Sequence, residues 1–179
     1  MKKIFTTILL IVIFFVIYFL QVNFFNWFTI AGVKPNLFVI YLIIIGIFAG
    51  NKIGGFFGIL MGLYIDIING KYIGISAIAL CLIGFLSEYI YKNVSNDNKI
   101  TIMLIIAVNT AFYELLYYFG SILKLSSPIE ILSFSKIIAI EIFFNIILTI
   151  IFYQLIQKFG NLLKYTFKNK DFFKKTFVV

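Results

Sequence analysis

The sequence contains neither histidine nor arginine, and all fifteen of its basic residues are lysine. Without histidine, the chain has no side chain that readily exchanges a proton near neutral pH and no imidazole for a metal. Without arginine, it has no planar, two-pronged donor for phosphate or carboxylate groups. Lysine and seven acidic residues remain. The usual catalytic residue types are missing, and this favours a protein that is not an enzyme and uses no cofactor.

Charge and cysteine are also scarce. Only 12% of the 179 residues are charged, whereas 63% are hydrophobic and 20% are aromatic. A water-soluble domain of this length needs a more charged surface, so the composition predicts an all-α, polytopic membrane protein. The single cysteine, Cys81, lies in an apolar run and is expected to be inert packing. The net charge of +8 does not indicate nucleic acid as a partner, because most lysines flank apolar runs, as topology determinants do.

Six apolar runs approach or reach the length that crosses a hydrocarbon core about 30 Å thick. The first follows two lysines but has no cleavage pattern behind it, so we expect a retained helix and not a signal peptide. The second is short and reaches a full span only if residues 33–36 are included; the alternative is a tilted or half-buried helix. The runs are Ile4–Leu20, Leu37–Ala49, Ile53–Asn69, Ile73–Tyr91, Ile100–Leu123 and Ile137–Gln157.

The lysines also predict an orientation. With both ends in the cytoplasm, eleven of the fifteen lie inside and four outside, in agreement with the positive-inside rule. We therefore expect a six-span transmembrane domain over residues 1–157, followed by a basic tail over residues 158–179. The tail mixes lysine with phenylalanine and leucine, a composition typical of an amphipathic segment on anionic lipids.

Glycine recurs every fourth residue in the third run, at Gly54, Gly58 and Gly62, and the next step of four reaches Asp66. Glycine weakens a helix by about 1 kcal/mol relative to alanine in water. In lipid, however, residues without side chains let two helix backbones pack closely. The spacing therefore predicts a tightly packed central helix, either against another helix of this chain or against a partner.

Three acidic residues from three runs are expected at similar depth. Asp66 and Glu114 lie roughly 20 Å from the inner ends of their runs, and Glu141 lies about 6 Å from the outer end of its run. A buried carboxylate in a membrane is costly and usually faces the interior of the bundle. Either an internal polar network or a site for a ligand or partner would account for them. Glu88, near the inner end of its run, is expected to reach water.

The segment GVKPN, the short run after it, GNKIGGFFGILMGLYIDIINGKYIGISA and LIGF together resemble the MreD family of rod shape-determining membrane proteins. The ordered motifs cover about residues 32–90. The departures are Asn36, where the family often has aspartate, and Asn51–Lys52, where it often has arginine. The family pattern falls on Pro35, Gly54, Gly58, Gly62, Asp66, Gly74 and Gly84.

This resemblance implies a non-enzymatic subunit of the bacterial elongation machinery in the cytoplasmic membrane. Its implied partners are the single-span protein MreC, the filament protein MreB, the polymerase RodA and a class B penicillin-binding transpeptidase. The implied fold is similar to the S-components of energy-coupling-factor vitamin transporters. The residues that would pack the bundle or bind a partner are Pro35, Gly54, Gly58, Gly62, Asp66, Gly74, Glu114 and Glu141.

Two other functions compete with this one. A true vitamin-binding S-component would dock through alanines on its first span, and Ile4–Leu20 has none. An intramembrane enzyme on a lipid-linked substrate would use the three carboxyl groups for a metal or for acid–base chemistry. Copurification of a small molecule would favour the first of these, and restoration of rod shape by a variant without the carboxyl groups would exclude the second.

Overall fold

The structure is a computed structural model that describes residues 2–70, 73–94, 98–125 and 131–168. Within these ranges all regular secondary structure is helical, apart from one isolated bridge between Ile30 and Val33. The helices are α1 (Lys2–Phe19, continued by a π-helical turn Leu20–Phe24), α2 (Leu37–Ala49), α3 (Asn51–Asn69), α4 (Ile75–Val94), α5 (Lys99–Leu125), α6 (Ile131–Ile151) and α7 (Tyr153–Leu163, continued by a π-helical turn Lys164–Lys168).

Five segments in the described part of the chain are long and apolar enough to cross a membrane. They are Lys2–Phe24, Asn51–Asn69, Ile75–Val94, Lys99–Gly120 and Leu132–Ile151. The all-α architecture and the multi-pass character expected from composition are thus both present.

The short second run forms a helix of 13 residues, α2, which rises only about 20 Å. Residues 33–36, which would have extended it to a full span, lie outside the helix in the chain that leads to it. Eleven of the 13 residues of α2 are buried. A helix that is apolar all round and covered all round belongs to the centre of a bundle, so α2 is the core about which the other helices pack.

The last predicted run has different bounds in the structure. Helix α6 begins at Ile131, six residues before the predicted start, and ends at Ile151, where Phe152 interrupts the helical backbone. Helix α7 then runs through the expected boundary between residues 157 and 158. Its buried residues, Ile156, Gly160 and Leu163, share one face, and Gly160 lies against the ring of Phe48 in α2. Residues 169–179 of the expected tail lie outside the described residues.

The first and last described helices meet at one end of the bundle. The hydroxyl oxygens of Thr6 and Thr166 are 3.2 Å apart, and Lys2 Nζ lies 5.3 Å from the centre of the Tyr165 ring. The fully buried residues of α1 are Thr6, Leu10 and Phe14, at a spacing of four residues. Its remaining apolar side chains are largely exposed, as expected of a helix whose outer face contacts lipid.

Candidate functional site

The glycine face of α3, formed by Gly54, Gly58 and Gly62, packs directly on the backbone of α4. A Cβ atom added to Gly58 would lie 2.5 Å from the carbonyl oxygen of Leu80. A Cβ at Gly54 would meet the backbone of Gly84, and one at Gly62 would meet the backbone of Ala77. Helix α4 therefore occupies the whole glycine face, and a partner helix has no access to it.

Helix α2 reaches the same contact through Gly46. A Cβ atom there would collide with the carbonyl oxygen of Gly84 and would lie 3.0 Å from Ser87 Cβ. A Cβ atom added to Gly54 would lie 2.8 Å from Gly46 Cα. Three helices thus approach one another at Gly46, Gly54 and Gly84 with no side chain between their backbones. Such an approach is the use of glycine that close helix packing in membranes requires.

Asp66 ends the glycine face and binds the start of α4. Its carboxylate accepts hydrogen bonds from the backbone N–H groups of Gly74 (2.8 Å), Ser76 (3.2 Å) and Ala77 (3.2 Å). These donors belong to the first turn of α4, where backbone N–H groups lack partners within the helix and a negative charge is stabilised by the helix dipole. Gly74 has a φ of +102°, which L-amino acids with side chains rarely adopt. Asp66 therefore joins the last turn of α3 to the residues that begin α4.

Pro35 and Asn36 position the start of α2 within the bundle. Gln21 donates from its side-chain amide to the Pro35 carbonyl oxygen (2.8 Å) and accepts from the Leu37 N–H (3.0 Å). The Asn36 side chain accepts from the Val39 N–H (3.3 Å), and the Asn36 N–H donates to the side chain of Asn145 in α6 (2.9 Å). The chain entering α2 is thereby bonded to both α1 and α6.

Glu114 of α5 and Glu141 of α6 are brought together, with their carboxyl groups within hydrogen-bonding reach of each other. Glu141 is 5% exposed, and its Oε1 atom has no hydrogen-bond partner. Both residues line a cavity of about 280 Å³ that also contacts α1, the start of α2 and α4. Of the three acids expected at one depth, two therefore share a site, while Asp66 is fully engaged by α4.

Glu141 lies further from the start of its helix than from the start of its apolar run, because α6 begins six residues before the run. Glu141 lies ten residues into α6, about 15 Å from its start, and Glu114 lies eleven residues, about 17 Å, from the end of α5. The similar distances explain why the two side chains meet. Asn145 and Thr110, one turn further along α6 and α5, also meet, with Asn145 donating to the Thr110 hydroxyl (3.0 Å).

Glu88 does not reach water as expected. Its side chain is 7% exposed, forms ion pairs with Lys92 and Lys168 (2.9 Å each) and accepts from the Asn51 N–H (2.6 Å). Lys168 also donates to the Ile47 carbonyl oxygen at the end of α2 (2.7 Å). This cluster joins the α2–α3 turn, α4 and the segment after α7. Apart from the pair of Glu88 with Lys92, which is one helical turn apart, its contacts join residues 37 to 121 positions apart, for which the sequence carries no periodic signal.

No metal-binding cluster of histidine, cysteine, aspartate or glutamate occurs among the residues that the structure describes. Cys81 lies half-buried beside Gly55. The geometry shows close backbone packing, one helix-capping carboxylate and one cavity with a paired carboxyl group.

A family model for the rod shape-determining protein MreD matches residues 1–159 of this chain. The chain belongs to the MreD family. As an MreD-family member it is a non-enzymatic, multi-pass membrane protein of rod-shape determination, and the resemblance to this family is confirmed. No match was found among curated proteins or among solved structures.

Proposed function

We propose that this chain is the multi-pass scaffold of a bacterial elongation complex in the cytoplasmic membrane and that it binds MreC directly. MreB, RodA and a class B transpeptidase would be further members of the same complex. The observation that supports the proposal is the match to the MreD family over residues 1–159. The glycine face of α3, which packs inside the bundle on α4, supports a rigid scaffold. A bundle held rigid by backbone contacts can present a fixed outer surface to single-span partners.

The internal use of the glycine face changes where MreC would bind. Because α4 covers Gly54, Gly58 and Gly62, a partner helix would bind to the outward apolar side chains of the peripheral helices and not to this face. The glycines and Asp66 would then act on the complex indirectly, by maintaining the shape of the bundle.

An affinity-tagged copy purified from membranes that also contain MreC tests the proposal. We expect MreC to copurify with the unaltered chain and with Gly55→Ala, because a Cβ at Gly55 meets its nearest atoms at ordinary contact distances of 3.7–3.8 Å. Gly58→Leu should lose both the folded bundle and MreC. Recovery of the folded, unaltered chain without MreC would refute direct binding.

We further propose six crossings with both ends in the cytoplasm, in a bundle that resembles the S-component fold. The contacts of Thr6 with Thr166 and of Lys2 with Tyr165 support an even number of crossings, because they require both ends on one side. The basic tail would then lie on anionic lipids of the inner leaflet. Reporter fusions at the two ends should both respond as cytoplasmic; a split result would contradict this topology.

A further inference from the structure

The cavity beside Glu141 contains a buried carboxyl oxygen that nothing in its surroundings satisfies. Glu141 Oε1 has no hydrogen-bond partner, although the residue is only 5% exposed. A buried acceptor without a donor costs about 1–3 kcal/mol, and more if it is charged. An unpaired atom of this kind in a native structure calls for a partner that the chain itself does not supply.

The polar neighbours of Glu141 are already used by other groups. Both ends of the Gln21 amide bond the backbone at the start of α2. Both ends of the Asn145 amide are bonded as well, to the Asn36 N–H and to Thr110. The Asn36 side chain caps α2 and lies within reach of the Glu141 carboxyl group. The amides around the cavity therefore shape its wall and leave Oε1 open.

The charge of the carboxyl pair limits what can bind. Two ionised carboxylates are both acceptors only, so two such groups within hydrogen-bonding reach hold at least one proton between them. A cation bound at Glu141 Oε1 would favour the ionised form of that group, and the pair of Glu114 and Glu141 would then carry one negative charge. Lys34, the lysine that lines the cavity, is exposed and donates to the side chain of Asn26 (2.9 Å), so it does not neutralise the pair.

Aromatic rings also line the cavity. Tyr18 of α1 and Phe38 of α2 are neighbours, with ring centres 6.2 Å apart. Tyr117 of α5 also lines the cavity. Rings attract organic cations through their faces, and carboxylates attract them through charge. A primary ammonium group carries one positive charge, which would balance one ionised carboxyl group. One of its three N–H donors would satisfy the open Oε1 atom.

We propose that this cavity binds a zwitterion, with its primary ammonium group on Glu141 and its anionic group toward Lys34. The cavity volume, about 280 Å³, suits a headgroup or a small amine and not a whole lipid. Two sources share this chemistry: the headgroup of an aminophospholipid such as phosphatidylethanolamine, and a free soluble zwitterion. The inference does not depend on which protein the bundle binds.

Lipid binding to the full chain, purified in detergent, tests the proposal by native mass spectrometry. Phosphatidylethanolamine should be retained about tenfold more than phosphatidylcholine, because methylation removes the three N–H donors that Glu141 would accept from. Soluble glycerophosphoethanolamine should raise the unfolding temperature if the headgroup alone suffices, and should have no effect if the acyl chains are needed. Either result supports the site and identifies the source.

Glu141→Gln should abolish this preference, because it removes the charge and keeps the shape, while Glu141→Asp should restore it in part. Lys34→Gln should weaken retention of the zwitterion and leave binding of ethylammonium unchanged. Equal retention of the two phospholipids by the unaltered chain, without an effect of the soluble headgroup, would overturn the proposal. So would an equal thermal shift with sodium or potassium ions alone, which would indicate a simple cation site, or a preference unchanged in Glu141→Gln.

Discussion

Asp66 and Glu141 are both buried carboxyl groups on helices of the bundle, 3% and 5% exposed, yet their surroundings differ. Asp66 accepts from three backbone N–H groups that belong to the next helix along the chain. Glu141 faces a second acid and a cavity, and one of its oxygens has no partner. The carboxyl group of Asp66 satisfies the N–H groups at the start of α4, while that of Glu141 has an oxygen atom that can still accept a hydrogen bond. Burial alone does not distinguish a structural acid from a functional one; the count of donors does.

The largest effect is expected where backbones touch. Gly58→Val should destabilise the bundle by at least about 3 kcal/mol, because the new side chain would collide with the backbone of Leu80 and Cys81, which cannot move aside. Denaturation of the purified chain in mixed micelles measures this. Gly55→Ala, three residues away on the same helix, is the matched control and should be neutral or slightly stabilising. Equal stability of the two variants would refute tight packing at Gly58.

The same chemical change should have a large effect at one carboxyl group and a small effect at the other. Asp66→Asn places an amide N–H₂ among three N–H donors and should cost about 2–3 kcal/mol. Glu141→Gln should change the free energy of unfolding by no more than about 0.5 kcal/mol, because the amide keeps the shape of the side chain and the Oε1 position makes no hydrogen bond that could be lost. Unfolding of both variants in the same detergent makes the comparison. It would fail if Glu141→Gln were the more damaging of the two.

The smallest effect is expected at the ion pairs of Glu88. Lys168, with a side chain 30% exposed, bonds both Glu88 and the Ile47 carbonyl oxygen, whereas Lys92 is 67% exposed and bonds Glu88 alone. Lys168→Ala should lower the free energy of unfolding by about 1 kcal/mol, and Lys92→Ala by only a few tenths. Added salt should weaken the contribution of the more exposed Lys92 before that of Lys168. Protease cleavage after α7 should also increase in Lys168→Ala and not in Lys92→Ala.

Much of the architecture could be predicted because membranes impose simple periodic rules. Long apolar runs predicted most of the spans, and the four-residue spacing of Gly54, Gly58 and Gly62 predicted close packing. The contact with Gly84 could not be derived, because spacing within one helix does not name the helix opposite. The start of α6 was missed because Ser133, Ser135 and Lys136 interrupt the apolar run but not the helix.

The site was less predictable than the fold. Asp66 was expected to face the bundle interior, but its partners are the N–H groups of a turn eight to eleven residues later. Gly70 and Gly74, followed by Ser76, are a sequence signal for such a turn, and they would have indicated a capping role. Gln21 gave no signal, because an amide at the end of an apolar run is common. Its importance comes from Pro35, which is brought beside it only by folding.

The meeting of Gly46, Gly54 and Gly84 has a mechanical consequence. With no side chain between the three backbones, α2, α3 and α4 cannot slide or rotate against one another without steric overlap, so they must move as one body. Helix α1 buries only three side chains against the bundle, and its rings contact α2 and α3 at Phe38 and Tyr64. A conformational change caused by a ligand or a neighbouring subunit would therefore be a movement of the outer helices relative to the rigid unit of α2, α3 and α4.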